Sequence, residues 1–307
     1  AMALSKLSGD EQGIILGQLC NTLQPRLAVY FGSASSELHV LLTPALRHQL
    51  RTDHEVATAL CHKMGVPSCK ELREATQVRW VSKGLTATDL ATLGTLGSVL
   101  PALVCLTLNE TSGSAGHDGA QRLAEGLVAG ALPAVTLLTL IDIHVGEAGG
   151  LALAAALGRG ALPRLDTLQL MNAAIGDAGL VALAPALRRL PALENLGLAH
   201  NLFGDEGLAA LMAPPPPAGT LPLPTGGLKK LKELDLDQTQ VSDAGCAALA
   251  AALDSGALPA LKKLALDGIL ASDAAMAAAY AARANLVRPT YEHIVLTESE
   301  DGDSEYD

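Results

Sequence analysis

The sequence predicts an α/β solenoid, in which strand-plus-helix units pile up with parallel strands along a concave face and helices along a convex one. Three observations predict it: a recurring apolar triplet, a near-constant spacing between triplets, and a turn-and-helix signature after each. The stretch LPALENLGLAHNLFGDEGLAAL (Leu190 to Leu211) contains one whole unit. Leu196 and Leu198, two apart, point to one face of a strand, whereas Leu208 and Leu211, three apart, share a face of a helix. Elements this short cannot bury their apolar faces alone, so each unit needs a neighbour of its own kind.

The chain supplies those neighbours. The triplet Leu193-Leu196-Leu198 recurs as Leu103-Leu106-Leu108, Val135-Leu138-Leu140, Leu165-Leu168-Leu170, Leu231-Leu234-Leu236 and Leu261-Leu264-Leu266. A degenerate copy, Ala75-Val78-Trp80, begins the series, and start-to-start spacings are 28, 32, 30, 28, 38 and 30 residues. The turns that follow read GEAGG at Gly146, GDAGL at Gly176, GDEGL at Gly204 and SDAGC at Ser242. Asp177, Asp205 and Asp243 are expected as helix N-caps, where a carboxylate satisfies free backbone N–H groups and favours the helix dipole. Helical apolar positions come next, such as Leu180, Leu183 and Leu187. Seven units in one register are predicted over residues 74–290.

Residues 1–73 do not fit that register and are predicted to form a helical N-terminal cap, because an open solenoid end would leave apolar surface in water. EQGIILGQLCNTL, SSELHVLL, PALRHQL and DHEVATALCHKMG read as separate helices, the last stopped by Gly65 and Pro67. The 38-residue spacing is explained by a Pro-rich surface insertion at 213–227, APPPPAGTLPLPTGG, whose four consecutive prolines favour a short polyproline rod. Residues 291–307 include ESEDGDSEYD, with six carboxylates and no base, and are expected to be disordered.

On these residues the chain resembles the leucine-rich repeat family. The consensus LxxLxLxxN stands intact in LENLGLAHN (Leu193 to Asn201), and helices with near-30-residue periods look like the ribonuclease-inhibitor subtype. Elsewhere the Asn position carries Lys83, Thr111, Ile143, Ala173, Thr239 and Ile269, so less regular loops are expected after those strands. The resemblance implies a non-catalytic scaffold that binds a protein partner. It also brings two alternatives. A helical head before leucine-rich repeats resembles ubiquitin-ligase substrate receptors, with Leu7, Ile15, Leu19 and Pro25 at loosely F-box-like places. GTPase activators of the same subtype carry an acidic tail, and Arg79 is the nearest candidate for a functional arginine.

Composition narrows the function further. Net charge is −11, with two Phe and one Trp, which argues against the basic tracks and stacking rings of a nucleic-acid surface. No run of about 18 uncharged apolar residues occurs, so no membrane span is predicted. No signal-peptide core is read at the N-terminus, and five scattered cysteines without a CxxC pair favour a reducing, cytoplasmic setting. No phosphate-binding loop, zinc-protease or serine-hydrolase motif is present, so neither an enzyme nor a cofactor is expected. His54, Cys61, His62 and Cys69 match no common zinc-ligand spacing, and Asp235 to Asp243 lacks the Gly and Glu of a calcium loop.

Strand alternation then names the candidate site. If Leu168 and Leu170 point inward, Thr167, Gln169 and Met171 line the concave face. The same register adds Arg79, then Thr107 and Asn109, then Leu137, Thr139 and Ile141. Asn195, the trio Glu233, Asp235 and Asp237, and finally Asp267 complete it. The lining is expected to be apolar at its centre and acidic at one end, which suits a protein partner with a basic rim.

Overall fold

The computed structural model describes residues 21–33, 39, 42–213 and 228–289. The first expected helix (save its last residues), most of SSELHVLL, nearly all of the Pro-rich insertion and the acidic residues 291–307 lie outside them.

Before the repeats come α1 (Arg26–Ser33), α2 (Pro44–Lys63) and α3 (Cys69–Glu74). The two helices expected from PALRHQL and DHEVATALCHKMG are one: α2 runs through Arg51 and Thr52 without a break. Neither Gly nor Pro interrupts it there, and Gln49 donates to Asp53 one turn on, at 2.7 Å. Thr43 caps its start by accepting the N–H of Leu46, with Pro44 at the first helical position.

Strands and helices then alternate as predicted. They run β1 (Gln77–Val81), α4 (Ala87–Leu96), β2 (Cys105–Asn109), α5 (Gly119–Gly126), β3 (Leu137–Ile141), α6 (Gly146–Gly158) and β4 (Thr167–Met171). α7 (Asp177–Leu187), β5 (Asn195–Gly197), α8 (Asp205–Met212), β6 (Glu233–Asp235), α9 (Asp243–Asp254), β7 (Lys263–Ala265) and α10 (Asp273–Ala281) follow. The strands form one seven-stranded parallel sheet in sequence order. Pairing is unshifted, so Leu106, Leu138, Leu168, Leu196, Leu234 and Leu264 form one continuous row. All six are nearly inaccessible, in a single core with helix residues such as Leu180, Leu208 and Leu249. Among the described residues, no helix is long and apolar enough to cross a membrane.

The loops after the strands correct two expectations. Asp177, Asp205 and Asp243 are first helical residues, while Gly176, Gly204 and Ser242 hold the cap position. Their carboxylates reach forward to the next unit. Asp177 Oδ1 accepts the N–H groups of Gly204 and Gly207, at 2.9 and 2.7 Å. Asp205 accepts both the N–H (2.9 Å) and the hydroxyl (2.6 Å) of Ser242, and Asp243 does the same for Ser272. The glycines two residues after Asp205 and Asp243 now have a reason: a Cβ on Gly207 would stand 2.9 Å from Asp177 Oδ1, and one on Gly245 2.2 Å from Asp205 Oδ1. The recurring GDxG signature is a clamp between units.

The loops without the consensus Asn are also more regular than expected. Ser82, Asp142, Asn172, His200 and Gln238, each two residues past the second buried strand position, all have φ between 47° and 57°. Asn201 fills its classical place: it is buried, its Oδ1 accepts from Ala173 and Ile175, and its amide donates to Leu170, Leu198 and Ala199. Ile143 and Ala173 occupy the same position as buried apolar residues, and backbone groups pair instead, Val145 N–H to Ala173 O at 2.8 Å. In the second unit the substitute is Glu110, one residue before Thr111. Fully buried, it accepts from Leu85 N–H at 2.7 Å and from the N–H and hydroxyl of Ser112. Burial pushes its pKa up, but these hydrogen bonds outweigh that and hold the carboxyl below its ordinary value.

The clamp makes a test. Asp205→Ala leaves the Ser242 N–H without its partner, and is expected to cost about 1–3 kcal/mol, read as a lower urea midpoint. Glu206→Ala, which removes the adjacent exposed carboxylate, is expected to stay within about 0.5 kcal/mol of wild type.

Candidate partner-binding surface

Because neighbouring strands pair without offset, the side chains pointing away from the helices fall into three rows across the sheet. The first is Gln77, Cys105, Leu137, Thr167, Asn195, Glu233 and Lys263. The second is Arg79, Thr107, Thr139, Gln169, Gly197, Asp235 and Ala265. The third begins Val81, Asn109, Ile141 and Met171, and the chain positions that continue it are Ala199, Asp237 and Asp267. Every residue expected on the lining therefore lies on this face or at its rim.

Their accessibility is graded more finely than alternation predicts. Leu137, Ile141 and Met171 are half-buried rather than fully exposed, while Thr139 and Asp235 are each only 8% exposed. Adjacent side chains cover one another at the spacing between parallel strands. Gln169 shows how: its amide lies across Gly197, where a Cβ would sit 1.6 Å from Oε1. In the first row, Asn195 donates to Thr167, which donates to Asp166, at 3.1 and 2.8 Å. Glu233 pairs with Lys263 at 2.5 Å, so it adds no free charge to the acidic end.

That end is built by Asp235, Asp237 and Asp267. Asp235 Oδ1 accepts the N–H of Asp237 at 3.0 Å, and Asp237 Oδ1 accepts the N–H of Asp267 at 2.5 Å. Asp267 also pairs with Arg288. Burial raises the Asp235 carboxyl to about 6; the Asp237 hydrogen bond and His200 oppose this, and the neighbouring carboxylates reinforce it. Asp237 is raised too, mainly by burial. The sheet does not bring Arg79 here: it stands on β1, at the opposite edge.

The sequence reading missed the rim beside this patch. Leu202 and Leu270 are 56% and 71% exposed, in the loops after β5 and β7, and His200 stands next to Leu202. The available signal was positional. Both leucines immediately follow the consensus-Asn position, where Ala174 and Gln240 stand in other units, so no core demand explains them. Among the described residues, no group of three His, Cys, Asp or Glu side chains is placed to hold a metal ion. Cys61 and Cys69 are buried with sulfurs 3.9 Å apart, and burial with Cys69 beside it pushes the Cys61 thiol up to about 12.

Comparison with known proteins fits this architecture. A family model described as Leucine Rich repeat matches residues 164–184 and 227–250, within the fourth and sixth units. The chain carries leucine-rich repeats. Two solved structures are similar to it. An internalin from Listeria monocytogenes has 12% identity and a TM-score of 0.29, over 78% of this chain and 96% of that one. TLR13, in a complex with ssRNA13, has 16% identity and a TM-score of 0.29, over 71% of this chain and 36% of that one. At those scores neither adds to the reading of this chain's surface. No curated protein matches the sequence.

The buried aspartate gives a pH dependence. A carboxyl raised from its ordinary value near 4 to about 6 is tolerated when neutral and costs stability once ionised. The cost is absent below about pH 4, grows between pH 4 and 6, and is complete above. Asp235→Asn keeps an acceptor oxygen for Asp237 and is expected to raise stability by about 2 kcal/mol at pH 8 and by little at pH 4. Urea unfolding at the two pH values measures both.

Proposed function

We propose that this protein is a non-catalytic scaffold that holds a protein partner on the helix-free face of its sheet. The single observation behind this reading is the row structure. Packing dictates Leu106, Leu138, Leu168 and Leu196, but nothing in the core dictates the half-buried apolar group Leu137, Ile141 and Met171 on the opposite face. Past β5, where Gly197 and Ala199 stand, the same face reaches the rim of Asp237 and Asp267. An apolar centre supplies affinity by leaving water, and the flanking carboxylates steer a partner with basic groups at the matching distance. Leu202 and Leu270 extend the apolar contact past the carboxylates. We read the repeats as ribonuclease-inhibitor-like, supported by periods of 28 to 38 residues and by helices of up to 13 residues between strands. We place the protein in the cytoplasm, on cysteines that form no disulfide among the described residues.

Quantitative affinity capture tests the site. With Leu137→Glu and Met171→Glu combined, a partner seated on this face is expected to be lost at least tenfold relative to wild type. Asp237→Asn is expected to weaken the same partner mainly at low salt, through a slower association rate. Equal recovery of every captured protein by wild type and the double variant counts against the site.

A further inference from the structure

The solenoid is electrically polarised across the sheet. Eleven Lys and Arg lie between residues 127 and 289; nine of them fall between the end of a helix and the first residue of the next strand, and a tenth, Arg283, just past the last helix. Four carboxylates share that edge: Asp166, Glu194, Glu233 and Asp254. The other ten carboxylates of the same stretch cluster at strand ends and helix starts, on the opposite edge.

Half of the edge cations have internal work. Arg159, Arg188 and Arg283 donate to the carbonyls of Leu127, Ala210 and Leu258. Lys232 and Lys263 pair with Glu194 and Glu233. Arg164, Arg189, Lys229, Lys230 and Lys262 are exposed, with no carboxylate partner among the described residues. Like charges gathered on one edge repel one another, so this arrangement costs stability unless an anionic group covers it.

We propose that the acidic segment Glu292–Asp307 of the same chain docks on this basic edge, over Lys229, Lys230 and Lys262. The chain's path supplies the occupant. Val287 lies beside β7 and parallel to it, donating its N–H to the carbonyl of Lys262 at 2.8 Å and accepting from Leu264 at 3.2 Å; Arg288 then pairs with Asp267, so the acidic segment reaches the basic edge by turning back across the end of the sheet. The acidic segment follows five residues later and carries seven carboxylates against one histidine. An extended chain spans about 3.3 Å per residue; Lys232 stands one strand spacing of about 4.8 Å from Lys262, and Lys229 and Lys230 precede Lys232 by only two or three residues. Reach is therefore ample, and tethering keeps the effective local concentration high without any new contact. Docked there, the segment excludes other anionic partners from the edge. Phosphate added at Ser299 or Ser304 would tighten the contact.

Carbodiimide coupling of the full chain, which joins a carboxylate to an amine it already touches, tests the contact. The sample mixes isotope-labelled and unlabelled chains, and the links are read by mass spectrometry. The expected result is links within one chain from the 292–307 carboxylates to Lys229, Lys230 or Lys262, falling at least fivefold in about 0.5 M NaCl, where screening is nearly complete. Lys70 and Lys83, at the far end of the repeat array, serve as the reference. Three results overturn the proposal: no links to the edge lysines, links equally frequent to Lys70 and Lys83, or links formed only between chains.

Discussion

The unshifted pairing of seven parallel strands is the constraint on which the rest of this structure depends. Each unit contributes a strand and a helix too small to form a core. Only when Leu168 lies beside Leu138 and Leu196, in phase, does the apolar interior become continuous. A slip of one residue would turn every strand over, sending Leu168 and Leu170 to solvent and Thr167 and Gln169 into the interior. The same phase generates the proposed partner-binding face, because outward side chains line up in rows only if inward ones do.

The clamps between units explain how the phase is held at the loops. A carboxylate at the first residue of one helix binds the cap of the next, as Asp205 does with Ser242. Leucine packing alone tolerates small rotations of a unit, whereas two hydrogen bonds to one carboxylate do not. Where the consensus Asn is missing, buried Ile143 and Ala173 keep the volume filled and Glu110 takes over the hydrogen bonds. The polarised charge has the same origin. Carboxylates collect where helices start and N–H groups are free, and cations collect where helices end, so stacking in phase adds each unit's small dipolar preference into two long edges.

The acidic end carries the least comfortable charge on this face. Asp235 is kept in a position that opposes its ionisation, beside two further carboxylates, although a neutral residue would pack there at less cost.

The sequence by itself determined the architecture: repeat number, strand register, which face of each strand is interior, and the position of nearly every core leucine. These are local periodicities, and a period of two or three to four residues converts directly into facing. Its reading of PALRHQL and DHEVATALCHKMG as two helices failed because no residue between them states whether a helix continues. The aspartates of the GDxG turns were recognised, but their partners sit in the next unit, about 30 residues away, and no local pattern names them. Tertiary structure alone decided that Asp235 is buried, that Gln169 shelters Gly197, that Glu233 is neutralised by Lys263, and that Leu202 and Leu270 stand free. Accessibility depends on what neighbouring strands place alongside a residue, and that is a property of the stack rather than of any one unit.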